Sequence, residues 1–312
     1  MENIMLSIYV ATYNHENYIA KALDSILMQE TEYSFEVLIG EDCSTDQTRK
    51  ILQEYEAKYP NRFQMFYRDH NMYHDEIRNG EDLKRRCKGK YMIALEGDDF
   101  WTDAHKIQKQ ITFLENHPEY LAVAHKCVVV GEDSLPNGEV YSACEDFEYS
   151  IHHFGSEIMP GQLATVMYRN FYKDNLIDPT LCRSKLAPGD RCTYFTLLVN
   201  GKIHCMKEEM SAYRHITQSG SSYSATTRYN YASAERLYKA FIDYATLHKN
   251  DECRKMAEYM FTYNVLLGYK AHQISFKEAW GKVFCCKGFI RNIGMCVKSL
   301  VNRRLLKKKV FV

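Results

Sequence analysis

The chain has 312 residues, with 40 Lys or Arg against 40 Asp or Glu and a formal net charge of zero. Hydrophobic residues make up 46% and charged residues 26%, a composition that excludes a disordered chain. No stretch approaches the ~20 apolar residues of a membrane span.

The charge balance hides a division. Residues 282–312 hold nine Lys or Arg and no acid, which leaves 31 bases against 40 acids in residues 1–281. Eleven cysteines are scattered without a CxxC pair, and "MENIMLSIYVATYNHENY" at the N-terminus lacks the basic region of a signal peptide. Reduced thiols in a cytoplasmic protein are the expectation.

"MLSIYVA" (5–11) is a short apolar run that predicts a strand, and "TYNHE" after it a polar turn. "NYIAKALDSILMQ" places Ile19, Ala22, Leu23, Ile26 and Leu27 at helical spacing, with Asn14 as the N-cap. "FEVLIG" (35–40) predicts a second strand ending in "EDCSTDQT", where Asp46 suits an N-cap for a helix over about 45–58. "RFQMFYR" (62–68) and "KYMIALEG" (90–97) follow as strands, then a helix capped by Asp103, then the strand "LAVAHKCVVV" (121–130). Strands separated by helices of this length predict a mainly parallel sheet flanked by helices.

Residues 131–200 alternate less cleanly and read as loops and short strands. From 226 the texture becomes helical. Two tyrosine-rich helices carry apolar faces at Leu237, Phe241 and Tyr244, and at Met256, Tyr259, Tyr263 and Leu266. In the basic tail Ile290, Ile293, Val297, Leu300 and Val301 share one helical face. A basic amphipathic helix suits an anionic membrane surface, and equally a terminal helix packed on the domain. Two regions are therefore expected, 1–225 and a helical 226–312.

Three acid-bearing turns follow predicted strands: Asn14 and Glu16, then Glu41, Asp42 and Asp46, then Glu96, Asp98 and Asp99. In open α/β sheets ligands bind beyond the carboxyl ends of the strands. The stretch "ALEGDDFW" (94–101) packs three carboxylates into four residues, where like charges oppose each other's ionisation. A metal ion, a hydrogen-bond network or plain solvation of the turn could each offset that repulsion. "HNMYH" (70–74) has two histidines at metal-like spacing but no third ligand. No glycine-rich phosphate loop and no nucleic-acid motif appears.

Taken together, "LSIYVATYNHENYIAKALDSILMQ", "EVLIGEDCSTDQT", "GKYMIALEGDDFWTDAHKIQKQITFLE" and "GDRCTYFTLLVNGKIHCMKEEMSAYRH" resemble the family 2 glycosyltransferases of GT-A fold, in that family's order over about residues 4–218. The resemblance implies that Glu96, Gly97 and Asp98 match the DxD element that holds a divalent cation, Mn²⁺ or Mg²⁺, against a nucleotide-sugar diphosphate. Asp98 is then the direct ligand. Glu96 stands where the family has Asp. Thr12, Tyr13, Asn14, Glu16 and Asp42 match the base- and ribose-binding turns, and Arg78 the segment that brings a cation to the nucleotide. Asp190, in "APGDRCTYF", matches the base that takes the acceptor's proton, and an N-cap role is compatible with that. Arg214 and His215, in "SAYRHITQSGSS", match a loop that reaches the diphosphate or the metal.

These matches imply a metal-dependent, inverting transfer of a sugar from a UDP-sugar to a glycan or lipid-linked acceptor in cell-surface polysaccharide synthesis. The expected setting is the cytoplasm, peripheral at the inner face of the cell membrane. A nucleotide-binding protein of the same fold without transfer, and a metal-dependent phosphoryl- or nucleotidyl-transferring enzyme, remain as alternatives.

Overall fold

In the computed structural model, which describes residues 4–141, 144–174, 177–216, 228–286 and 288–306, the chain divides into two units. The first takes in Met1–Tyr149, Pro160–Pro179 and Lys202–Ala225, and the second Ser150–Met159, Thr180–Gly201 and Thr226–Val312.

The first unit opens on the expected alternation: β1 (Leu6–Thr12), α1 (Ile19–Leu27), β2 (Phe35–Glu41), α2 (Thr48–Lys58), β3 (Gln64–Tyr67), α3 (Asn79–Arg86) and β4 (Tyr91–Ala94). β5 (Phe100–Trp101), α4 (Lys106–Asn116), β6 (Tyr120–Val130), β7 (Phe147–Tyr149) and β8 (Met167–Arg169) follow. The order β3-β2-β1-β4 is parallel throughout, as the spacing predicts. Beyond β4 the sheet is mixed. β8 runs antiparallel to both β4 and β6, and β9 (Lys202–Arg214) pairs parallel with β6 and antiparallel with β5 and β7.

Ile8, Val10, Ile39 and Ile93 bury one face with Leu23 and Ile26 of α1 and Ile107 and Ile111 of α4. Tyr9, Leu38 and Met92, alternate residues of the same strands, are buried too, as is Leu83 of α3. Cover on both faces is why these strands read as continuous apolar runs. Full burial of one such side chain contributes about 1.5–3 kcal/mol.

The caps expected for α1 and α4 are displaced. α1 begins at Ile19 with Tyr18 before it, so Asn14 is not its N-cap. Asn14 instead takes a left-handed backbone (φ 56°), which its short polar side chain tolerates, and its Oδ1 accepts the N–H of Thr45 at 2.8 Å. Asp103 accepts the N–H of His105 at 2.7 Å, one turn of chain ahead of α4.

The second unit contains α5 (Ile151–Gly155), α7 (Thr180–Arg183), α8 (Gly189–Asn200), α9 (Tyr231–Leu247), α10 (Asp251–Lys270), α11 (Phe276–Cys285) and α12 (Phe289–Leu306); α6 (Phe171–Asp174) belongs to the first. Phe195 and Phe241 stack at 4.2 Å, with Phe154 5.8 Å from Phe195. Leu237, Phe241, Tyr244, Met256 and Tyr259 are buried, so the aromatic faces of α9 and α10 are packing. On α12 the expected apolar face divides. Asn292 and Cys296 turn inward, Ile293 is half-buried, and Ile290 and Val297 stay 75% and 55% exposed. The side chains of Leu300 and Val301, and Lys307 to Lys309 altogether, lie outside the described residues. No helix among the described residues is long and apolar enough to cross a membrane.

Candidate functional site

The parallel strands β1, β2 and β4 end side by side, and the three acid-bearing turns leave from those ends. Thr12, the last residue of β1, is buried and its carbonyl accepts the N–H of Asp42 at 3.0 Å. Glu16 accepts the N–H of Gln47 at 2.8 Å and donates its own N–H to Asp46 at 3.0 Å. Asp46 also accepts the N–H of Thr48 at 2.9 Å, but it lies one residue ahead of Gln47, which takes the N-cap place of α2 expected for it. Asn14 and Glu16 therefore clasp the turn after β1 to the turn after β2, while the half-buried Tyr13 lies between Thr12 and Asn14.

Asp42 accepts the N–H of Met72 at 2.9 Å, which anchors a short helical turn, Met72–His74, over the end of β2. Burial pushes the Asp42 carboxyl up from its ordinary pKa, against the opposing pull of the Met72 N–H. Arg78 stacks its guanidinium over Tyr73 of this turn at 5.2 Å, and its Nε is buried without a hydrogen-bond partner among the described residues. A buried guanidinium nitrogen left open this way suits an anionic or carbonyl ligand. The neighbouring Arg85 and Arg86 pair with Glu81 and Asp82 one turn away and form an ordinary solvated helix face.

The turn after β4 is the centre of the site. Gly97 has no room for a side chain: a Cβ there would lie 2.6 Å from both Thr12 Oγ1 and His15 Nδ1. Its glycine lets the acidic turn close onto the end of β1. His15 Nδ1 lies 3.2 Å from Thr12 Oγ1, and its Nε2 lies 4.0 Å from Asp98. Oxygens of Glu96, Asp98 and Asp99 come within 4.8 Å of one another. Asp99 is 1% exposed, and burial, then the charges of Asp98 and Glu96, push its pKa well above the ordinary value.

That donor set is all oxygen, which suits a hard cation such as Mg²⁺ or Mn²⁺ and is poor for a thiolate-seeking metal. No other such group of His, Cys, Asp or Glu occurs among the described residues, so "HNMYH" forms no centre; His70 pairs with Asp75 at 2.8 Å. The eleven cysteines are free thiols.

Arg214, at the end of β9, is 4% exposed and knits this turn to its surroundings. Its backbone N–H donates to Asp99 at 2.7 Å, its Nε to the carbonyl of Asp98 at 2.9 Å, and its Nη1 to the carbonyls of Gly131 and Glu132. Nη2 reaches Ser134 at 2.9 Å, and the guanidinium lies 4.2 Å over Tyr18. His215 faces Glu139 at 2.6 Å and does not join the carboxylate group. Residues 217–222 of the "SAYRHITQSGSS" stretch lie outside the described residues.

Asp190 belongs to the second unit, in the first turn of α8, where Pro188 precedes the helix. Its Oδ1 accepts the N–H of Arg191 at 2.7 Å, and the Arg191 guanidinium lies over the rings of Phe154 and Tyr238.

Two residues near the acidic turn, unlike Asp99 in its run of carboxylates, carry no sequence signal of their own. His15 is only the neighbour of "TYN". Gln162 sits in a segment read as loop, and its amide reaches both Glu96 and Asp99.

A profile of the family described as "Glycosyl transferase family 2" matches residues 7–159. An uncharacterised Mycobacterium tuberculosis protein, Rv1520, is 32% identical over 215 residues, covering 67% of this chain and 58% of its own length. This chain thus spans under two thirds of that relative. TuaG of Bacillus subtilis, provisionally named a teichuronic acid biosynthesis glycosyltransferase, is 29% identical over 252 residues, or 77% of this chain and 94% of TuaG. A crystal structure of Staphylococcus aureus TarS in complex with UDP-GlcNAc superposes with a TM-score of 0.62 at 16% identity, covering 92% of this chain and 81% of that one. The mixed sheet flanked by helices is thus the expected GT-A fold, and residues 7–159, from β1 to β7, match glycosyl transferase family 2.

Proposed function

We propose that this chain is a metal-dependent, inverting glycosyltransferase that moves a sugar from a UDP-sugar to a hydroxyl of a cell-surface glycan or lipid-linked glycan. The observation that carries the reading is the gathering of Glu96, Asp98 and Asp99 beside the ends of β1 and β2. The UDP-GlcNAc held by the TarS structure and the name of TuaG support the donor class and the cell-surface setting.

Asp98 and Glu96 would hold the cation, which when bound supplies Lewis-acid stabilisation to a departing diphosphate. Thr12, Tyr13, Asp42 and Arg78 line the nucleoside side, where Asp42 accepts from a base or ribose donor and Arg78 offers its open Nε. Asn14 and Glu16 hold the two turns in register, and Gly97 keeps the approach to Thr12 open. Arg214 acts through the turn it braces, and His215 is assigned to the loop that follows. Asp190 takes the proton of the acceptor hydroxyl as its oxygen bonds to the anomeric carbon and the bond to the diphosphate breaks. One base and displacement from the face opposite the leaving group give inversion.

The C-terminal helices support a second element of the proposal, docking on an anionic membrane surface from the cytoplasmic side. Ile290 and Val297 are exposed on a helix whose stretch of chain carries only basic charge. Co-sedimentation with phosphatidylglycerol vesicles, against none with phosphatidylcholine, is the expected result.

The test of the reaction is incubation with UDP-GlcNAc and other UDP-sugars with Mn²⁺ or EDTA, following UDP release and the anomeric configuration of the product by NMR. Metal-dependent release with an inverted product is expected. UDP binding without release under any donor would favour the nucleotide-binding alternative. Release of pyrophosphate from nucleoside triphosphates would favour the nucleotidyl-transferring one.

A further inference from the structure

Gln162 begins the short helical turn Leu163–Thr165 and is 6% exposed. Its Nε2 donates to Asp99 Oδ2 at 2.6 Å and lies 3.1 Å from Glu96 Oε2, so the two hydrogens of one amide reach two carboxylates. Its Oε1 accepts the N–H of Ala164 at 2.6 Å. That third contact fixes which way round the amide sits: turned over, the oxygen would face two carboxylates and the NH₂ would face an N–H.

The turn beneath it is equally fixed. The Gln162 carbonyl accepts both the N–H and the hydroxyl of Thr165, at 2.8 and 2.7 Å. The Thr165 carbonyl accepts from the buried Gln110 at 2.9 Å. Gly161 makes the close approach possible, since a Cβ there would lie 2.0 Å from Thr165 Oγ1. A neutral amide is thus braced by the core and aimed at two acids that repel each other.

We propose that Gln162 is a positioning residue that clamps Glu96 to Asp99 and so presets the cation-binding geometry, and that the Glu in place of Asp at position 96 serves this clamp. The clamp rests on the metal-site reading above. Asp99 is held from both sides, by Gln162 on Oδ2 and by the Arg214 N–H on Oδ1, and acts as the fixed post. Glu96, by contrast, is exposed, and the Gln162 amide is one contact that holds it. Its extra methylene relative to Asp brings Oε2 to the amide, so the departure from DxD and the glutamine form one device. A carboxylate held before the cation arrives loses less freedom on binding, and outer partners of metal ligands typically affect affinity by ~10–100-fold.

The test is a double-mutant cycle on the full chain, with Mn²⁺ affinity read by EPR in the absence of nucleotide. Gln162→Met keeps the length and removes both donors, and Glu96→Asp shortens the clamped arm. Each change is expected to weaken Mn²⁺ binding about tenfold, and the double variant to be little worse than either alone. Melting temperatures with and without Mn²⁺ separate positioning from mere support: the increment given by Mn²⁺ should shrink in Gln162→Met. Additive effects, or a lower metal-free melting temperature with unchanged Mn²⁺ affinity, would overturn the clamp while leaving the metal site standing. A wild-type protein that binds no Mn²⁺ would overturn both. Should Gln162→Met fail to fold, the side-chain NH₂ resonances of Gln162 in the wild type decide. They are expected to shift on Mg²⁺ titration with the saturation of the site, and a flat response would refute the proposal.

Discussion

The turn after β4 and the start of α8 present the same chemical group in opposite settings. In the first unit Glu96, Asp98 and Asp99 crowd together, and one of them is buried with its pKa pushed well up. In the second unit Asp190 stands in the first turn of a twelve-residue helix, where the helix dipole favours the anion. A crowd of carboxylates stores repulsion that an incoming cation relieves, which is the property of a binding site. The Asp190 carboxylate, set in the first turn of a helix, is the group that the proposed mechanism uses as its base. In the proposed mechanism the first region binds and the second takes the proton.

The largest expected effect tests the second region. Asp190→Asn should lower the transfer rate by ~10²–10⁴-fold, the range for loss of a general base, with UDP affinity within about twofold of wild type. A variant that transfers normally would remove Asp190 from the mechanism. Next comes the first region: Asp98→Asn should weaken Mn²⁺-dependent UDP binding by about 100-fold in calorimetry, at or beyond the upper end seen for outer-shell partners. Equal affinity with and without the substitution would leave the crowded carboxylates without their assigned role.

Smallest is the effect at Lys106, a buried basic group in the same unit. Lys106 is 0% exposed, its Nζ donates to Gln110 at 2.7 Å and lies 4.3 Å over Trp101, and burial holds its pKa well below the ordinary value. A depressed lysine means that unfolding takes up a proton, so stability rises with pH between the folded value and the ordinary value of 10.5. Lys106→Met should flatten that rise in thermal melts. The desolvation it avoids is offset by the Gln110 Oε1 left without its donor, so stability near neutral pH should change by no more than about 1 kcal/mol. The substitution should leave Mn²⁺ affinity unchanged. A loss of Mn²⁺ affinity would show that buried charge in this unit is coupled to the site wherever it lies, and would blunt the contrast.

The legible part of the molecule was its parallel half. Strands β1, β2 and β4 are buried on both faces and announce themselves as apolar runs, and the acid-bearing turns follow at the strand ends where open α/β sheets bind ligands. The antiparallel half was harder. β8 is three residues long, and β9 carries exposed Lys207 and Glu209 or half-buried neighbours where its pairing with β6 shifts register, so no clean alternation survives. Asn14 misled as a cap because asparagine serves left-handed turns as well as helix starts. Gln162 was invisible, since a lone glutamine becomes informative only when folding brings it from 66 positions away to Glu96.

The central claim is that a divalent cation and a nucleotide diphosphate together offset the repulsion of the 96–99 carboxylates. Calorimetric titration of UDP into the purified chain, first with Mn²⁺ and then with EDTA, tests it most directly. Binding that requires Mn²⁺ is the expected result. UDP binding of equal strength in EDTA would contradict the claim, because the nucleotide would then be held without the cation those carboxylates are assigned to carry.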